Sequence, residues 1–257
     1  MRSQIMAILV AALTILVAHS VRAEETPKTT EERLTALEQR VHDLEHPKPA
    51  TVTPAIKDRG RHDSFLADIK KDSNDLVFIG DSITDGWRGG GKKVWDEAFG
   101  PLKPLNLGIG GDRTQHVLWR LQNGELDGYE AKLAVIMIGT NNGGDSKEDV
   151  AEGITAIVKE VQKHQPKAKV LLLGIFPRGA KANDGGRAKN NQVNEIVAKL
   201  DDGGKTVKYM DIADKFLDAK KDLPKDIMPD ALHPNAKGYQ IWADATLPTI
   251  KEMMGVK

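Results

Sequence analysis

From about His62 onward, short apolar segments alternate with longer segments of helical periodicity, and this alternation most constrains the fold. The apolar segments have the length and continuous hydrophobicity of strands buried on both faces. Three are clear and two are weaker: Leu76–Ile79, Leu133–Ile138 and Val170–Leu173, then Leu105–Leu107 and Val207–Met210. Helices are predicted over roughly Asp112–Gln122, Lys147–Gln165, Arg187–Leu200 and Ala236–Met253. Strands that alternate with helices predict an α/β domain whose parallel sheet is covered on both faces.

The beginning of the chain has the three-part plan of a secretory signal. Arg2 precedes an apolar run from Ile5 to Ala18, and the small residues around Ala23 suit a signal peptidase. The run is too short to span a bilayer comfortably. We therefore expect residues 1–23 to be a cleaved signal peptide, with an uncleaved anchor as the alternative. Cleavage near Ala23 would make the protein exported, either periplasmic or secreted.

Residues 24–61 are predicted to connect this signal to the domain. Within residues 24–46, four apolar side chains are spaced as in a heptad repeat, which predicts a short heptad-patterned helix: Leu34, Leu37, Val41 and Leu44. The pattern is shorter than the three or four heptads typical of a coiled coil, so an oligomerisation stub and a simple amphipathic helix both remain open. Prolines predict an extended linker over residues 47–61, and residues 62–257 then form the domain.

Composition and motif spacing exclude several classes of function. The 37 Lys and Arg residues balance the 37 Asp and Glu residues, so no nucleic acid partner is expected. The sequence has no cysteine, which excludes a disulfide scaffold and a thiolate nucleophile. Gly86 to Lys92 resembles a phosphate-binding loop, but Lys93 stands where that motif requires Ser or Thr. No spacing of His, Asp and Glu suggests a metal site. We expect neither a metal nor a cofactor.

Three of the predicted strands end on polar segments that contain or adjoin glycine. Ser82 follows the first, Gly110-Gly111 follow the second, and Asn141 follows the third. Because ligands of open α/β sheets bind beyond the carboxyl ends of the strands, these groups are expected at one rim. Ser82 is a candidate nucleophile, and the glycine N–H groups and the Asn141 amide are candidate donors to an oxyanion. A helix cap, a helix-entry turn and an Asx turn are their respective structural alternatives.

Near the end of the chain, Asp230 and His233 form an Asp-x-x-His-Pro cluster before the last predicted helix. In a turn, this spacing lets the carboxylate accept the Nδ1 proton of the imidazole, so that Nε2 can face a serine hydroxyl. Pro234 suits the first turn of the helix that follows. The alternative is a loop aspartate beside a solvent-exposed histidine.

Four blocks of this sequence resemble those of the SGNH, or GDSL-type, hydrolases: VFIGDSITDGW, LNLGIGGDRT, IMIGTNN and DALHPNAKGY. Two stretches more narrowly resemble the catalytic (beta/gamma-type) subunits of platelet-activating-factor acetylhydrolase and their bacterial relatives: NLGIGGDRTQHVLWRLQNGEL and LLLGIFPRGAK. The resemblance runs from about His62 to Met253. It implies a three-layer α/β/α sandwich, flavodoxin-like, with a central parallel sheet.

The resemblance also implies a role for each candidate residue. Ser82 would be the nucleophile, His233 the general base, and Asp230 the residue that orients His233. The N–H groups of Ser82 and Gly111 and the side-chain amide of Asn141 would form the oxyanion hole.

The function implied is a serine esterase that hydrolyses short-chain acyl esters, with acetyl the expected acyl group. Those acetylhydrolase subunits are cytosolic, whereas this chain carries an export signal. An esterase for O-acetylated carbohydrate is therefore an alternative to one for a lipid ester. A catalytically idle, envelope-associated binding module is the alternative of another class. Because the related subunits dimerise, a homodimer is one expected assembly.

Overall fold

The computed structural model describes residues 29–31, 33–35, 37, 47–69 and 74–256. The chain divides into two compact units, residues 1–48 and residues 49–257. In the first unit, residues 30, 31, 33–35 and 37 are helical, and the side chains of Leu34 and Leu37 are exposed. The predicted signal peptide and the remainder of the predicted heptad helix lie outside the described residues. No helix in the described part of the chain has the length and apolar character needed to cross a membrane.

Five strands of the second unit form one parallel sheet in the order β2-β1-β3-β4-β5 within the described residues. The strands are β1 Leu76–Gly80, β2 Pro104–Gly108, β3 Leu133–Met137, β4 Lys169–Leu173 and β5 Val207–Met210. In register, Ile79 lies between Leu107 of β2 and Ile136 of β3. The prediction of a parallel α/β sheet is confirmed. The strand that follows β1 in the chain lies on one side of it, and β3 lies on the other side, so the order of strand addition reverses at β1. A site is expected at the rim beyond such a point.

The helices of the second unit connect and cover these strands. They are α1 Arg59–Ile69, α2 Ser82–Asp85, α3 Lys92–Ala98, α4 Thr114–Arg120, α5 Lys147–His164, α6 Gly185–Val197 and α7 Ala236–Met254. Helix α4 is shorter than predicted because a π-helical turn, Leu121–Glu125, takes over and then breaks at Gly124, whose φ is +104°. Helix α6 begins two residues earlier than predicted because the Asp184 side chain caps it by accepting the Gly186 N–H.

Alternate residues of each strand point to opposite faces of the sheet, and each face is covered by its own apolar cluster. Val77 and Ile79 of β1 belong to the cluster that also contains residues of α1, α4, α5 and α6. Leu76 and Phe78 belong to the second cluster, which contains residues of α3 and α7. The structure therefore has the three layers, α/β/α, that the sequence predicts.

The second cluster fixes the last helix against the segment that follows β1. Trp87 and Trp242 are both 1% exposed or less, and their ring centroids lie 4.9 Å apart. Tyr239 of α7 packs on Trp87 at 4.4 Å, and its hydroxyl donates a 2.7 Å hydrogen bond to the carbonyl of Ile83. The start of α7 and the start of α2 are thus held together by packing and by a buried hydrogen bond.

The compact unit begins at Pro49, so most of the predicted linker, residues 47–61, packs with the domain. Thr51 lies in a short 3₁₀ turn and is fully buried, and its carbonyl accepts a hydrogen bond from the hydroxyl of Thr114. The N–H of Ala55 donates to the carbonyl of Gln115. Helix α1 then starts at Arg59, before the boundary at His62 that the sequence suggests. The sequence does not indicate this packing, because the segment is polar and contains prolines and because its main contacts are made by backbone groups.

Gly153 of α5 lies where Thr51 and Thr114 come close to the helix, and it has no side chain to keep them away. Its replacement should show how tightly the segment around Thr51 packs on α5. A Cβ added at Gly153 would lie 2.6 Å from Thr114 Oγ1 and 2.9 Å from the carbonyl oxygen of Thr51. Gly153→Ala should lower the free energy of unfolding by about 1–3 kcal/mol, although alanine is the better helix former. The measurement is urea unfolding followed by circular dichroism.

The matched control is Gly185→Ala, in the first turn of α6. A Cβ there meets nothing within 4 Å, so its stability should be unchanged or slightly raised. Equal stability of the Gly153→Ala variant and the wild type would contradict the close packing described above.

Candidate active site

Ser82 is the first residue of α2 and lies directly beyond the end of β1. The helix is capped by the residue before it, since Asp81 Oδ1 accepts the N–H of Ile83 at 3.0 Å. Of the two sequence interpretations of Ser82, the capping role therefore belongs to its neighbour. The Ser82 hydroxyl instead lies 2.9 Å from Nε2 of His233.

Asp230 and His233 come together in the turn that precedes α7. Asp230 Oδ2 lies 2.6 Å from Nδ1 of His233, and Asp230 Oδ1 accepts the main-chain N–H of the same residue at 2.8 Å. Ala231 has a left-handed backbone, with φ of +59°, which turns the chain so that both contacts can form. The structure thus places the predicted serine, histidine and aspartate in one continuous chain of hydrogen bonds.

The electrostatics of this turn suit an ionised carboxylate. Partial burial would raise the pKa of Asp230, but hydrogen bonds from the ring and the main-chain N–H of His233 hold the pKa below its usual range. An ionised Asp230 accepts the Nδ1 proton of the imidazole and leaves Nε2 as the hydrogen-bond acceptor for a serine hydroxyl.

The predicted oxyanion donors lie on the adjacent strand ends. Gly110 and Gly111 form a tight turn after β2, closed by a hydrogen bond from the Asp112 N–H to the Ile109 carbonyl at 3.2 Å. A Cβ built at Gly110 would come 4.0 Å from the Cβ of Ser82, so the turn lies against the serine. Asn141, after β3, donates its side-chain N–H to the carbonyl of Asp112 at 2.9 Å. The turn, the serine and the Asn141 amide therefore share one rim.

The next residue, Asn142, has a structural role that the sequence did not separate from that of Asn141. It is fully buried, and its Oδ1 accepts the N–H of Thr114 at the start of α4. Its Nδ2 donates to Asp145 at 2.9 Å. Asn142 thus connects the loop after β3 to α4, which leaves Asn141 at the rim.

A buried charged network supports the turn from below. Arg120 of α4 donates through Nε to Asp112 at 2.9 Å, through Nη1 to Glu125, and through Nη2 to the carbonyl of Leu107 at 3.0 Å. Glu125 also contacts Nδ1 of His62 at 2.9 Å. All four ionisable side chains are buried. The network holds the end of β2 and the loop that follows it.

Sequence reasoning did not identify Arg120, although a signal was present. It lies three residues after the buried Val117 and directly before the buried Leu121, on the face of the helix that packs on the sheet. An arginine on such a face must be paired to be tolerated. The partners, Asp112 and Glu125, lie eight and five residues away, whereas side chains that meet on an α-helix are three or four residues apart.

No group of three or more His, Asp or Glu side chains in the described part of the chain could hold a metal ion.

Comparisons with known proteins found related sequences and related folds. The sequence model of the GDSL-like lipase/acylhydrolase family matches residues 78–241, a range that includes the serine, the turn, the asparagine pair and the Asp-x-x-His cluster. Human platelet-activating factor acetylhydrolase IB subunit alpha1 is 43% identical over 178 residues, which cover 69% of this chain and 76% of that protein.

Solved structures share the fold at low sequence identity. A GDSL-like lipase from Bacteroides thetaiotaomicron superposes with a TM-score of 0.61 at 18% identity, over 74% of this chain and 97% of its own. A carbohydrate acetylesterase from Sinorhizobium meliloti gives 0.57 at 17% identity, over 70% of this chain and 100% of its own.

Fold and sequence together define the class of this protein, which is that of the carboxylic ester hydrolases. The chain belongs to the GDSL-like lipase/acylhydrolase family.

Asp81, beside the serine, offers a test of the electrostatics of this rim. Its side chain is fully buried, and Oδ2 has no hydrogen-bond partner among the described residues. Burial raises the pKa of Asp81 to about 7. The hydrogen bond from the Ile83 N–H opposes this increase, and repulsion by Asp112 adds to it. The folded protein therefore binds more protons than the unfolded chain between about pH 4 and pH 7, and stability is lost as pH rises through that range.

Asp81→Asn should remove this loss, because asparagine caps a helix equally well and does not ionise. The gain in unfolding free energy over wild type should be small near pH 4, grow up to about pH 7 and then level off at up to roughly 4 kcal/mol. Denaturant unfolding at pH 4 to 9 measures it. Asp63→Asn, at an exposed side chain on α1, is the control and should give a flat difference. A pH-independent gain for Asp81→Asn would show that Asp81 is not a buried neutral acid.

Proposed function

We propose that this protein is a serine esterase that hydrolyses short-chain acyl esters through a covalent acyl-enzyme. The observation that carries the proposal is the pair of contacts from Ser82 Oγ to His233 Nε2, at 2.9 Å, and from His233 Nδ1 to Asp230, at 2.6 Å. A hydroxyl, an imidazole and a carboxylate joined in this order can generate a serine nucleophile near neutral pH.

In the acylation step, His233 accepts the proton of the Ser82 hydroxyl as the oxygen attacks the ester carbonyl. The carbonyl π electrons move to its oxygen, and the resulting oxyanion accepts hydrogen bonds from the N–H groups of Ser82 and Gly111 and from the Asn141 amide. The tetrahedral intermediate collapses when His233 protonates the alkoxide, so the alcohol leaves and the acyl group stays on Ser82.

Deacylation repeats these steps with water. His233 removes a proton from water, the hydroxide attacks the acyl carbonyl, and a second oxyanion forms at the same donors. Its collapse breaks the ester bond to Ser82, and His233 returns the proton to the serine oxygen. The product is a free carboxylic acid, and the steps use only groups of this chain, the ester and water.

Acetyl is the acyl group that the proposal favours. The 43% identical human protein is named an acetylhydrolase, and the match covers 69% of this chain. The alcohol is proposed to be that of a small lipid or sugar ester, and action outside the cytoplasm follows if residues 1–23 direct export.

The decisive test of the proposed function is Ser82→Ala. Without the serine oxygen no acyl-enzyme can form, so kcat for p-nitrophenyl acetate should fall by roughly a thousand-fold or more. Ser64→Ala, which removes an exposed hydroxyl from α1, is the matched control and should keep full activity. Hydrolysis by Ser82→Ala at the wild-type rate would overturn the proposal, and failure of a fluorophosphonate probe to label Ser82 would support a catalytically idle module.

The acyl-group preference has a test of its own. A series of p-nitrophenyl esters from acetate to octanoate should give kcat/KM values that are highest for acetate and fall with chain length. A maximum at octanoate would exclude an acetylesterase while leaving the serine mechanism in place. Release of acetate from acetylated xylan, compared with release from a short-chain lipid ester, then distinguishes the two classes of alcohol.

A further inference from the structure

Lys57 contacts the turn that carries one of the proposed oxyanion donors. Its ammonium group lies 2.5 Å from the carbonyl oxygen of Gly110 and 3.5 Å from Oδ1 of Asp112. About one third of the Lys57 side chain is exposed, whereas Asp112 is buried. Lys57 lies before α1 and outside residues 78–241, the part of the chain that matches the family.

The segment that carries Lys57 is anchored on the domain by other contacts. Ala55 donates its N–H to the carbonyl of Gln115 in α4 at 3.1 Å, and Thr51 accepts the hydroxyl of Thr114 at 3.0 Å. These two contacts hold the backbone just before Lys57 beside α4, and from there its side chain reaches the turn.

The Gly110 carbonyl and the Gly111 N–H belong to the same peptide unit. Among the described residues no peptide bond is cis, so this carbonyl and this N–H point in opposite directions. A cation bound to the Gly110 oxygen therefore also determines the direction of the Gly111 N–H. It further draws electron density toward that oxygen, which makes the N–H a stronger hydrogen-bond donor.

This peptide unit has an alternative orientation that the two glycines alone would permit. The turn is of type II, since φ is left-handed at Gly111, +73°, and not at Gly110. Rotation of the central peptide by about 180° converts a type II turn into a type I turn, and glycine adopts both conformations without steric cost. In the type I turn the Gly111 N–H would point away from its present direction. The contact from Lys57 stabilises the type II form.

We propose that Lys57 is a positioning residue for the oxyanion hole, which selects the orientation of the Gly110–Gly111 peptide and polarises its N–H toward the developing oxyanion. This inference rests on the proposed function, because it assigns Gly111 its donor role. It places a contribution to catalysis in the segment that the sequence alone suggests is a linker.

Lys57→Met and Lys57→Arg test the inference. Methionine keeps the length of the side chain but loses the charge and the donor, so kcat for p-nitrophenyl acetate should fall by about 10- to 100-fold. KM should change by less than about threefold, because the lost contact acts mainly on the transition state. Both acylation and deacylation pass through an oxyanion, so kcat falls whichever step limits it. Arginine keeps the charge and the donor and should restore kcat to within about threefold of wild type.

Controls separate this effect from general charge and from stability. Arg59→Met removes a positive charge two residues away, from a side chain that is 69% exposed, and should leave kcat unchanged. Thermal unfolding of each variant reports stability. Should Lys57→Met not fold, Lys57→Gln takes its place as the uncharged variant, with the same fall in kcat expected.

Three results would overturn the inference. They are a kcat for the uncharged variant within twofold of wild type, a KM change in place of the kcat change, and a folded Lys57→Arg variant as slow as the uncharged one. Ser82→Ala, measured in parallel, separates the two proposals. If that variant is inactive while Lys57→Met is normal, only the role of Lys57 fails, whereas an active Ser82→Ala variant removes the proposed function itself.

Discussion

The buried guanidinium of Arg120 is the interaction on which the arrangement of the site depends. It joins the side chain of Asp112 to that of Glu125 and bonds the carbonyl at the end of β2, all away from solvent. A buried ion pair is stabilising only when nearly all of its hydrogen-bonding groups are satisfied, and removing one partner typically costs about 3–5 kcal/mol. The Arg120 contacts therefore hold the loop after β2 to the end of that strand and to α4, although the loop lies at the rim and contains two adjacent glycines.

The rim is assembled by three further connections between distant parts of the chain. The hydroxyl of Tyr239 binds the carbonyl of Ile83 and so fixes the start of α7 against the start of α2. Asn141 binds the loop after β2 through the carbonyl of Asp112. Lys57, in the segment before α1, binds the same loop. The first two connections join segments that directly follow strands or pack on the sheet, and the third starts from a segment held by hydrogen bonds to α4.

Much of the fold could be predicted because it follows from the pattern of apolar residues along the sequence. The three central strands, β1, β3 and β4, appear where continuous apolar runs are found, since a parallel strand buried on both faces needs such a run. The edge strands β2 and β5 have interrupted runs and gave the weaker signals. Helix α5 matches its prediction to within one residue because Ser146 caps it and its apolar stripe is regular. Helix α1 was not predicted. Its sequence is polar, and only Phe65, Ile69 and His62 are buried, so it carries little periodic signal.

The candidate site also contains some residues that could be predicted from the sequence and others that could not. Sequence reasoning located Ser82, Asn141, Asp230 and His233 because each follows a strand or precedes a helix, where the chain pattern alone indicates a rim, and the structure brings them within hydrogen-bonding reach of one another or of the loop after β2. Their catalytic roles stay predictions. The contacts of Lys57 and Arg120 could not be found in this way. Their partners are carboxylates at no regular spacing and backbone carbonyl groups. Every residue has a backbone carbonyl group, so the sequence does not indicate which one accepts a hydrogen bond.

The sequence alone was sufficient to predict the parallel sheet, the helices α4 to α7 and the identity of the residues at the strand ends, because these depend on local hydrophobic pattern and on chain direction. Only the tertiary structure decided which residues support the rim, that Asp81 and not Ser82 caps the helix, and that residues 49–58 belong to the domain. These outcomes depend on buried hydrogen bonds and charges, whose strength comes from burial and from partners that meet only when the chain is folded.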